Sequence, residues 1–174
     1  MPRATKPHSQ LHAPSAPCPK LNHAGRMSYR IGRGELGVLT FEPYKSYLLP
    51  LWRFRTPEIA RQSSRLLWDE FEKFAELKDF VGMDMTRKFI QMGFTRARRY
   101  SNHKGGRKYD GDGKVLPRST GHADQSDKEE ASVMFKEVWE RCKRDETYLR
   151  LKGEFQKDQK AWDKEQKDKT KEPS

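Results

Sequence analysis

Residues 79–110 read DFVGMDMTRKFIQMGFTRARRYSNHKGGRKYD, and this stretch contains the clearest helical pattern of the chain. Asp79 suits the N-cap position, because a carboxylate there accepts a hydrogen bond from a free backbone N–H of the first turn. Large apolar residues follow at helical spacing on one face, at Val81, Met85, Phe89 and Met92. The pattern predicts a helix that starts after Asp79 and buries this face, with Gly93 either ending or weakening it.

The same stretch carries most of the excess positive charge. The chain has 174 residues and a net charge of +11. Residues 85–109 contain eight Lys and Arg and no acid, and residues 1–30 contain five and no acid. Charges in residues 31–84 and 110–174 are nearly balanced, which is typical of a solvated surface. The excess charge therefore lies in one helix–loop segment and in the N-terminal tail.

A basic segment without acids and with interleaved aromatic residues is typical of a protein that binds a polyanion. Guanidinium groups bind phosphate oxygens in bidentate fashion, and tyrosine rings stack on unpaired bases. The sequence therefore predicts a surface that binds nucleic-acid or other polyanionic phosphates, with a preference for single strands. The predicted surface consists of Arg87, Lys88, Arg98, Arg99, Tyr100, Lys104, Arg107 and Lys108. Any one of these arginines could instead pair with a carboxylate such as Asp69, Glu72 or Asp84.

Two other functions stay open. One is an enzyme that acts on a phosphorylated or carboxylated small molecule, with Asp84, Arg96 and His103 in one pocket and the Gly32–Gly37 loop as a lid. This pocket requires Arg96 and His103 to converge. The other is a protein-interaction module, which an exposed apolar groove would favour. No catalytic residue is assigned, and neither a cofactor nor a metal site is predicted.

Three more helices are predicted around residues 79–110. Thr56 and Pro57 form an N-cap and a first helical position, and this helix should end near Leu77. The sequence SDKE at 126–129 matches a capping box that should start another helix. The spacing of Tyr148, Leu151, Phe155 and Trp162 predicts the last helix. The predicted core consists of Trp52, Phe54, Leu67, Phe71, Phe89, Met92, Phe135, Val138 and Trp139.

Residues 29–55 have an extended pattern. Residues 38–41 form a short β-prone run, and Trp52 and Phe54 alternate with Arg53 and Arg55, as in a half-buried strand. The predicted fold is therefore α+β and helix-rich, with a small extended or hairpin region packed on three to four helices.

The segment IGRGELGVL, residues 31–39, has the glycine spacing of a phosphate-binding loop. A protein kinase would also need His-Arg-Asp and Asp-Phe-Gly motifs, and neither occurs. A dinucleotide fold would need a helix after the glycines, whereas VLTF follows here. The glycines therefore indicate a turn or hairpin. Similarly, YDGDGK at 109–114 lacks the later acids of a calcium loop and indicates a turn.

The two ends are predicted to be disordered, at residues 1–27, which are basic and proline-rich, and at residues 165–174, which are charged. A single domain should occupy residues 28–164. No apolar run approaches the roughly 20 residues of a membrane span, so no membrane partner is predicted. The two cysteines are interpreted as free thiols of an intracellular protein, cytoplasmic or nuclear. A mitochondrial transit peptide in residues 1–27 is an alternative, although its prolines would interrupt an amphipathic helix.

Three long motifs resemble an uncharacterised domain-of-unknown-function family of small fungal, bacterial and phage proteins. They are YRIGRGELGVLTFEPYKSYLLPLWRFRTPEIA, DFVGMDMTRKFIQMGFTRARRYSNHKGGRKYD and EEASVMFKEVWERCK, and the resemblance runs from about residue 29 to residue 162. Leu36, Thr86 and Ser101 depart mildly from the family pattern, which has Gln, Ala and Ala there. The resemblance implies one compact intracellular domain and transfers no catalytic residue.

Overall fold

The structure of the protein is a computed structural model that describes residues 10–171. Within these residues the chain forms α-helices α1 (His23–Met27), α2 (Tyr44–Leu48), α3 (Pro57–Glu76), α4 (Phe80–Asn102), α5 (Gln125–Arg144) and α6 (Glu146–Lys171). Two short 3₁₀ helices lie at Leu49–Leu51 and Lys104–Gly106. Helix α4 is central, since it contacts α2, α3, α5 and α6.

Both predicted starts of the long helices are confirmed. Thr56 Oγ1 accepts a hydrogen bond from Ile59 N at 3.3 Å, and α3 begins at Pro57. Asp79 Oδ1 accepts one from Gly82 N at 3.1 Å, and α4 follows directly. In each case the side chain satisfies a backbone N–H that has no partner within the helix, which fixes the first turn.

Helix α4 is buried around its whole circumference in its first half, since every residue from 80 to 90 is buried. Two glycines allow its neighbours to approach closely. A Cβ on Gly82 would lie 2.3 Å from the Phe74 ring of α3, and a Cβ on Gly93 would lie 2.4 Å from the Phe135 ring of α5. Gly93 therefore neither ends nor interrupts α4, and instead lets α5 pack against it.

The predicted α+β class is wrong, because the described part of the chain is helical and contains no strand. Its only ladder pairing is one isolated antiparallel bridge between Tyr109 and Val115. Residues 38–40 form a turn and Phe41 is irregular, rather than the expected strand. The protein is an all-α fold within residues 10–171.

The segment after Leu51 is extended but has no partner strand, because side chains satisfy its backbone groups. Arg53 N donates to Ser63 Oγ on α3 at 3.0 Å. Lys128 Nζ on α5 donates to Phe54 O at 3.2 Å and to Arg55 O at 2.9 Å. Trp52 and Phe54 therefore alternate with arginines because they belong to a single extended segment, which is hydrogen-bonded to side chains of α3 and α5.

The predicted capping box is also wrong. Helix α5 begins at Gln125, and its N-cap residue, Asp124, makes no side-chain capping hydrogen bond. Helix α6 continues to Lys171 and so includes most of the predicted disordered C-terminal tail. At the other end, Leu11 N donates to Gln62 Oε1 of α3 at 2.9 Å, and Met27 at the end of α1 is 1% exposed. The predictions for residues 1–9 and 172–174 lie outside the described residues.

Five members of the predicted core are buried, namely Leu67, Phe71, Phe89, Met92 and Phe135, whereas Trp52, Phe54, Val138 and Trp139 are only partly buried. Sequence reasoning missed Tyr29, Tyr44 and Tyr47, whose rings are buried. Cys18 and Cys142 are both free thiols, as predicted. No helix within residues 10–171 combines the length and the apolar character that a bilayer crossing requires.

Candidate functional site: a basic cleft at the end of helix α4

An open cleft of about 630 Å³ lies beside the C-terminal end of α4. One wall is a helical stripe of α4, because Thr95, Arg98, Arg99 and Asn102 recur three and four residues apart. The opposite wall is the loop that follows α4, and Glu35 of the glycine loop borders the cleft. Five cationic residues line it: Arg96, Arg98, Arg99, Lys108 and Arg118.

The loop of residues 107–118 brings Lys108 and Arg118 to this cleft by folding back on itself. Leu116 N donates to Lys108 O at 2.7 Å, and Asp110 Oδ1 accepts from Asp112 N and Lys114 N, both at 2.9 Å. The sequence YDGDGK is therefore a turn, as predicted, in which the side chain of Asp110 accepts hydrogen bonds from backbone N–H groups of the same turn. Beyond the turn, Ser119 N donates to the Asn102 carbonyl at 2.9 Å, which attaches the loop to the end of α4.

The five cleft cations have no ion-pair partner in residues 10–171. No carboxylate of the described chain lies within 4.0 Å of the charged nitrogens of Arg96, Arg98 or Arg118. The same holds for Arg99, whose Nε donates to Gly106 O at 2.7 Å, and for Lys108. Unneutralised charges that converge on a concave surface focus a positive potential, which attracts anions.

Glu35 is the only acidic side chain among the residues that line the cleft. Its carboxylate oxygens lie 2.8 Å and 3.1 Å from Thr95 Oγ1, whose single proton is also within reach of Met92 O at 3.2 Å. No cationic nitrogen of the described residues lies within 4.0 Å of it. Since a hydroxyl provides one proton, Glu35 keeps free acceptor capacity beside five cations.

His103 also lines the cleft, directly after the last turn of α4. The residue is 6% exposed, and its buried Nδ1 has no hydrogen-bond partner within the described structure. A buried polar atom without a partner costs free energy, so such an atom calls for an explanation, and a role in ligand binding is one. The small-molecule alternative requires Arg96 and His103 to converge, and both residues line this cleft.

Asp84, the third member of that alternative pocket, lies elsewhere. It is fully buried in the first half of α4 and accepts hydrogen bonds from Tyr29 Oη, from Tyr148 Oη at 2.7 Å and from Arg87 Nη2 at 2.7 Å. Burial, and then the Asp84 carboxylate, raises the pKa of both tyrosines, so they remain donors. The predicted grouping of Asp84 with His103 is wrong, because Asp84 does not line the cleft and instead forms hydrogen bonds with buried side chains.

Arg87 and Lys88 are not on the surface where the sequence analysis placed them. Arg87 is 7% exposed and Lys88 is 1% exposed. Arg87 pairs with Asp84 and also donates to Gly34 O at 2.7 Å. Because their hydrogen-bonding groups are directed into the protein, these two cations cannot belong to an exposed phosphate-binding surface.

Lys88 explains the glycine loop. Its Nζ donates to Arg30 O at 3.1 Å and to Leu36 O at 2.9 Å, and it lies 4.6 Å from the Tyr29 ring centroid. Burial lowers the pKa of Lys88 to about 8. The loop adopts positive φ at Gly32, Gly34 and Gly37, at 67°, 60° and 84°. The glycines thus form a turn, as predicted, whose carbonyls face two buried cations rather than a nucleotide.

The remaining predicted residues surround the cleft or face away from it. Lys104 and Arg107 are exposed on the turn after α4. Tyr100 packs against Phe54 on another side of the helix, with ring centroids 5.6 Å apart, and does not line the cleft. Tyr109 does line it and is 46% exposed. Of the eight predicted residues, Arg98, Arg99 and Lys108 are brought together in the cleft.

Sequence reasoning missed Arg118 and Glu35 as cleft residues. Arg118 lies outside the acid-free stretch, in a segment with balanced charge. Glu35 is 60 residues from Thr95 in sequence, and no pattern indicated their contact. The exposed large apolar residues are dispersed over several elements, although Leu36 and Leu39 share the glycine loop and Tyr109 pairs with Val115. A shallow recess lined by Trp52, Phe54 and Tyr100 is the most apolar one, and the protein-interaction alternative stays a prediction.

Comparison with known proteins agrees with the resemblance seen in the motifs. Residues 20–158 match the family model of a domain of unknown function, DUF4385. The match covers most of the chain, which therefore belongs to that family. No curated protein matches the sequence, and no solved structure matches the fold.

Proposed function

We propose that this member of the DUF4385 family binds single-stranded nucleic acid through the basic cleft at the end of α4. The observation that carries the proposal is the set of five cations that line the cleft without an ion pair in residues 10–171. Surface cations that serve solubility usually stand among acids, as they do on α5 and α6. A polyanion would neutralise the cleft and release its own counterions, which drives binding.

Tyr109 supports a single strand over a duplex. Its ring is 46% exposed at the cleft, and the charged ends of Arg99 and Lys108 lie 5.8 Å and 5.6 Å from its centroid. An exposed ring between phosphate-binding groups can stack on an unpaired base, which contributes about 1–3 kcal/mol per base. Bases in a duplex are already stacked and do not offer that face.

A salt titration of the full chain with labelled 12-nucleotide single strands tests this function. If about five phosphates are neutralised, the logarithm of affinity should fall with the logarithm of salt concentration at a slope of roughly −3.5. The triple variant Arg96→Gln, Arg98→Gln, Arg118→Gln should weaken binding at low salt by at least about tenfold and reduce the slope to about −1.5. A duplex of the same sequence should bind more weakly than the single strand.

The matched control variant carries Arg65→Gln, Lys157→Gln and Lys160→Gln, which remove three exposed cations that do not line the cleft. Both triple variants lose the same net charge, and only the cleft variant should lose most of the affinity. The proposal is wrong if the wild-type chain does not bind at low salt, or if the two triple variants weaken binding equally.

His103 favours a second candidate, an enzyme or binding protein for a phosphorylated or carboxylated small molecule. Its buried, unpartnered Nδ1 is a feature of a defined site, and the cleft volume is within the range of small-ligand pockets. Calorimetric titration with pyrophosphate should then show saturable one-to-one binding that His103→Ala abolishes and that the exposed His23→Ala retains. Weak, non-saturating heats in all three proteins would rule this candidate out.

A further inference from the structure

The one acid of the basic cleft is unexpected if the cleft binds only phosphate. Glu35 carries a negative charge beside five cations, and it would repel a phosphate group placed against it. Its position is nevertheless fixed, because Thr95 Oγ1 on α4 donates to its carboxylate at 2.8 Å. The buried Arg87 and Lys88 fix the backbone on either side of it through the carbonyls of Gly34 and Leu36.

An ionised carboxylate cannot donate a hydrogen bond, so the group of an anionic ligand that contacts Glu35 should be a hydrogen-bond donor rather than a phosphate oxygen. One donor, Thr95 Oγ1, is already present, and the carboxylate has further lone pairs. The ligand that fits both walls therefore carries phosphates for the cations and a hydroxyl or amino proton for Glu35. In a nucleic acid whose sequence is not read, the donor that recurs at every nucleotide is the ribose 2′-hydroxyl.

We propose that Glu35 accepts a hydrogen bond from a ribose 2′-hydroxyl, so that the cleft selects RNA over DNA. This inference rests on the proposed function and names the class of nucleic acid that the cleft binds. DNA presents the same phosphates and lacks the hydroxyl, so in a DNA complex Glu35 would face the strand with Thr95 as its donor and no donor from the ligand. Both effects favour RNA, since RNA adds a charge-assisted hydrogen bond, whereas DNA places phosphates near the carboxylate charge without this compensation.

The alternative is a purely structural role, in which Glu35 only connects the glycine loop to α4 through its hydrogen bond with Thr95. Three variants separate the two roles. Glu35→Ala removes the acceptor and the tie, Glu35→Gln keeps a neutral acceptor, and Thr95→Val removes the tie but keeps the carboxylate. Glu154→Ala is the charge-matched control, because Glu154 lines a recess with Phe80 at the other end of α4. Fifteen residues of helix place Phe80 about 22 Å from Thr95.

The experiment measures the affinities of the full-length protein for RNA and DNA 12-mers of one sequence by fluorescence anisotropy at low salt. The wild type should bind RNA about tenfold more tightly, as expected for one hydrogen bond to a charged group. Glu35→Ala should bring the RNA-to-DNA ratio close to one, and Glu35→Gln should give an intermediate ratio. Thr95→Val should lower the ratio by less than Glu35→Ala does, because it loosens the carboxylate without removing it, and Glu154→Ala should keep the wild-type ratio.

Contrary results would overturn either the selection of RNA by Glu35 or the proposed function itself. Equal affinity of the wild type for RNA and DNA overturns the selection by Glu35 and leaves the proposed function standing. An unchanged ratio in Glu35→Ala, or a ratio lost equally in Thr95→Val, also overturns the direct contact. The absence of binding to both oligonucleotides overturns the proposed function itself.

Discussion

At the scale of single residues, position in α4 decides what each cation does. Arg87 and Lys88 differ from Arg98 and Arg99 in burial, although all four belong to one acid-free stretch. The difference could have been inferred from the sequence. Apolar residues occupy most positions around Arg87 and Lys88, in MDMTRKFIQM, and a helix that is apolar all round is buried. The contacts of the two cations with loop carbonyls could not be predicted, because they depend on residues more than 50 positions away.

Lys88 makes stability depend on pH in a defined direction. Its pKa is about 8 in the folded protein, against 10.5 for an ordinary lysine. Between these values the unfolded chain binds more protons than the folded one, so this residue makes stability rise with pH. From pH 8 to pH 10 the free energy of unfolding of the wild type should rise by about 2 kcal/mol relative to that of Lys88→Met.

The difference between the two proteins is the quantity to measure, by urea unfolding at each pH. It cancels other groups, such as Cys142, whose pKa burial raises and which therefore acts in the opposite direction. The exposed Lys160→Met provides a baseline. A wild-type minus Lys88→Met difference that stays flat or falls between pH 8 and pH 10 would refute the account of Lys88.

At the scale of the elements, the contact of α4 with α5 depends on Gly93. A Cβ at this position would lie 2.4 Å from the Phe135 ring, which is fully buried and cannot move freely. Gly93→Ala should therefore destabilise the protein by about 1–3 kcal/mol, despite the higher helix propensity of alanine. Thermal or urea unfolding measures the change.

Gly153 in α6 offers a matched control, since a Cβ there would meet no atom within 4 Å. Gly153→Ala should stabilise the protein by about 0.5–1 kcal/mol, because only the propensity difference acts. Equal effects of the two substitutions would show that α5 does not pack on Gly93 as described.

The elements also show what local sequence can and cannot predict. The starts of α3 and α4 were predictable, because a capping side chain and its N–H donor lie three residues apart. The strand at residues 52–55 was a wrong prediction, because a period of two describes any extended segment with one buried side. The carbonyls of Phe54 and Arg55 accept hydrogen bonds from Lys128 Nζ rather than from a partner strand. Lys128 is 74 and 73 residues away in sequence, so local sequence could not indicate these contacts.

At the scale of the whole molecule, the fold converts a sequence-local excess of charge into a concave site. The sequence indicated the basic segment, three phosphate-binding residues of the cleft, Arg98, Arg99 and Lys108, and two residues of the alternative pocket that also line it, Arg96 and His103. It could not show that the loop after α4 adds Arg118, or that the glycine loop adds Glu35. Both depend on long-range packing against α4, and this packing also separates Asp84 from His103.

Under the proposed function, nucleic acid binds in the cleft rather than along the basic N-terminal segment. The direct measurement is an NMR titration of the isotope-labelled full chain with a 12-nucleotide RNA single strand, observing every backbone amide. We expect the largest chemical-shift changes at residues 94–118 and at Glu35, and we expect the Arg96, Arg98 and Arg118 triple variant to lose them. Changes confined to residues 1–30, or to α6, with unshifted amides at residues 94–118, would contradict the proposed function.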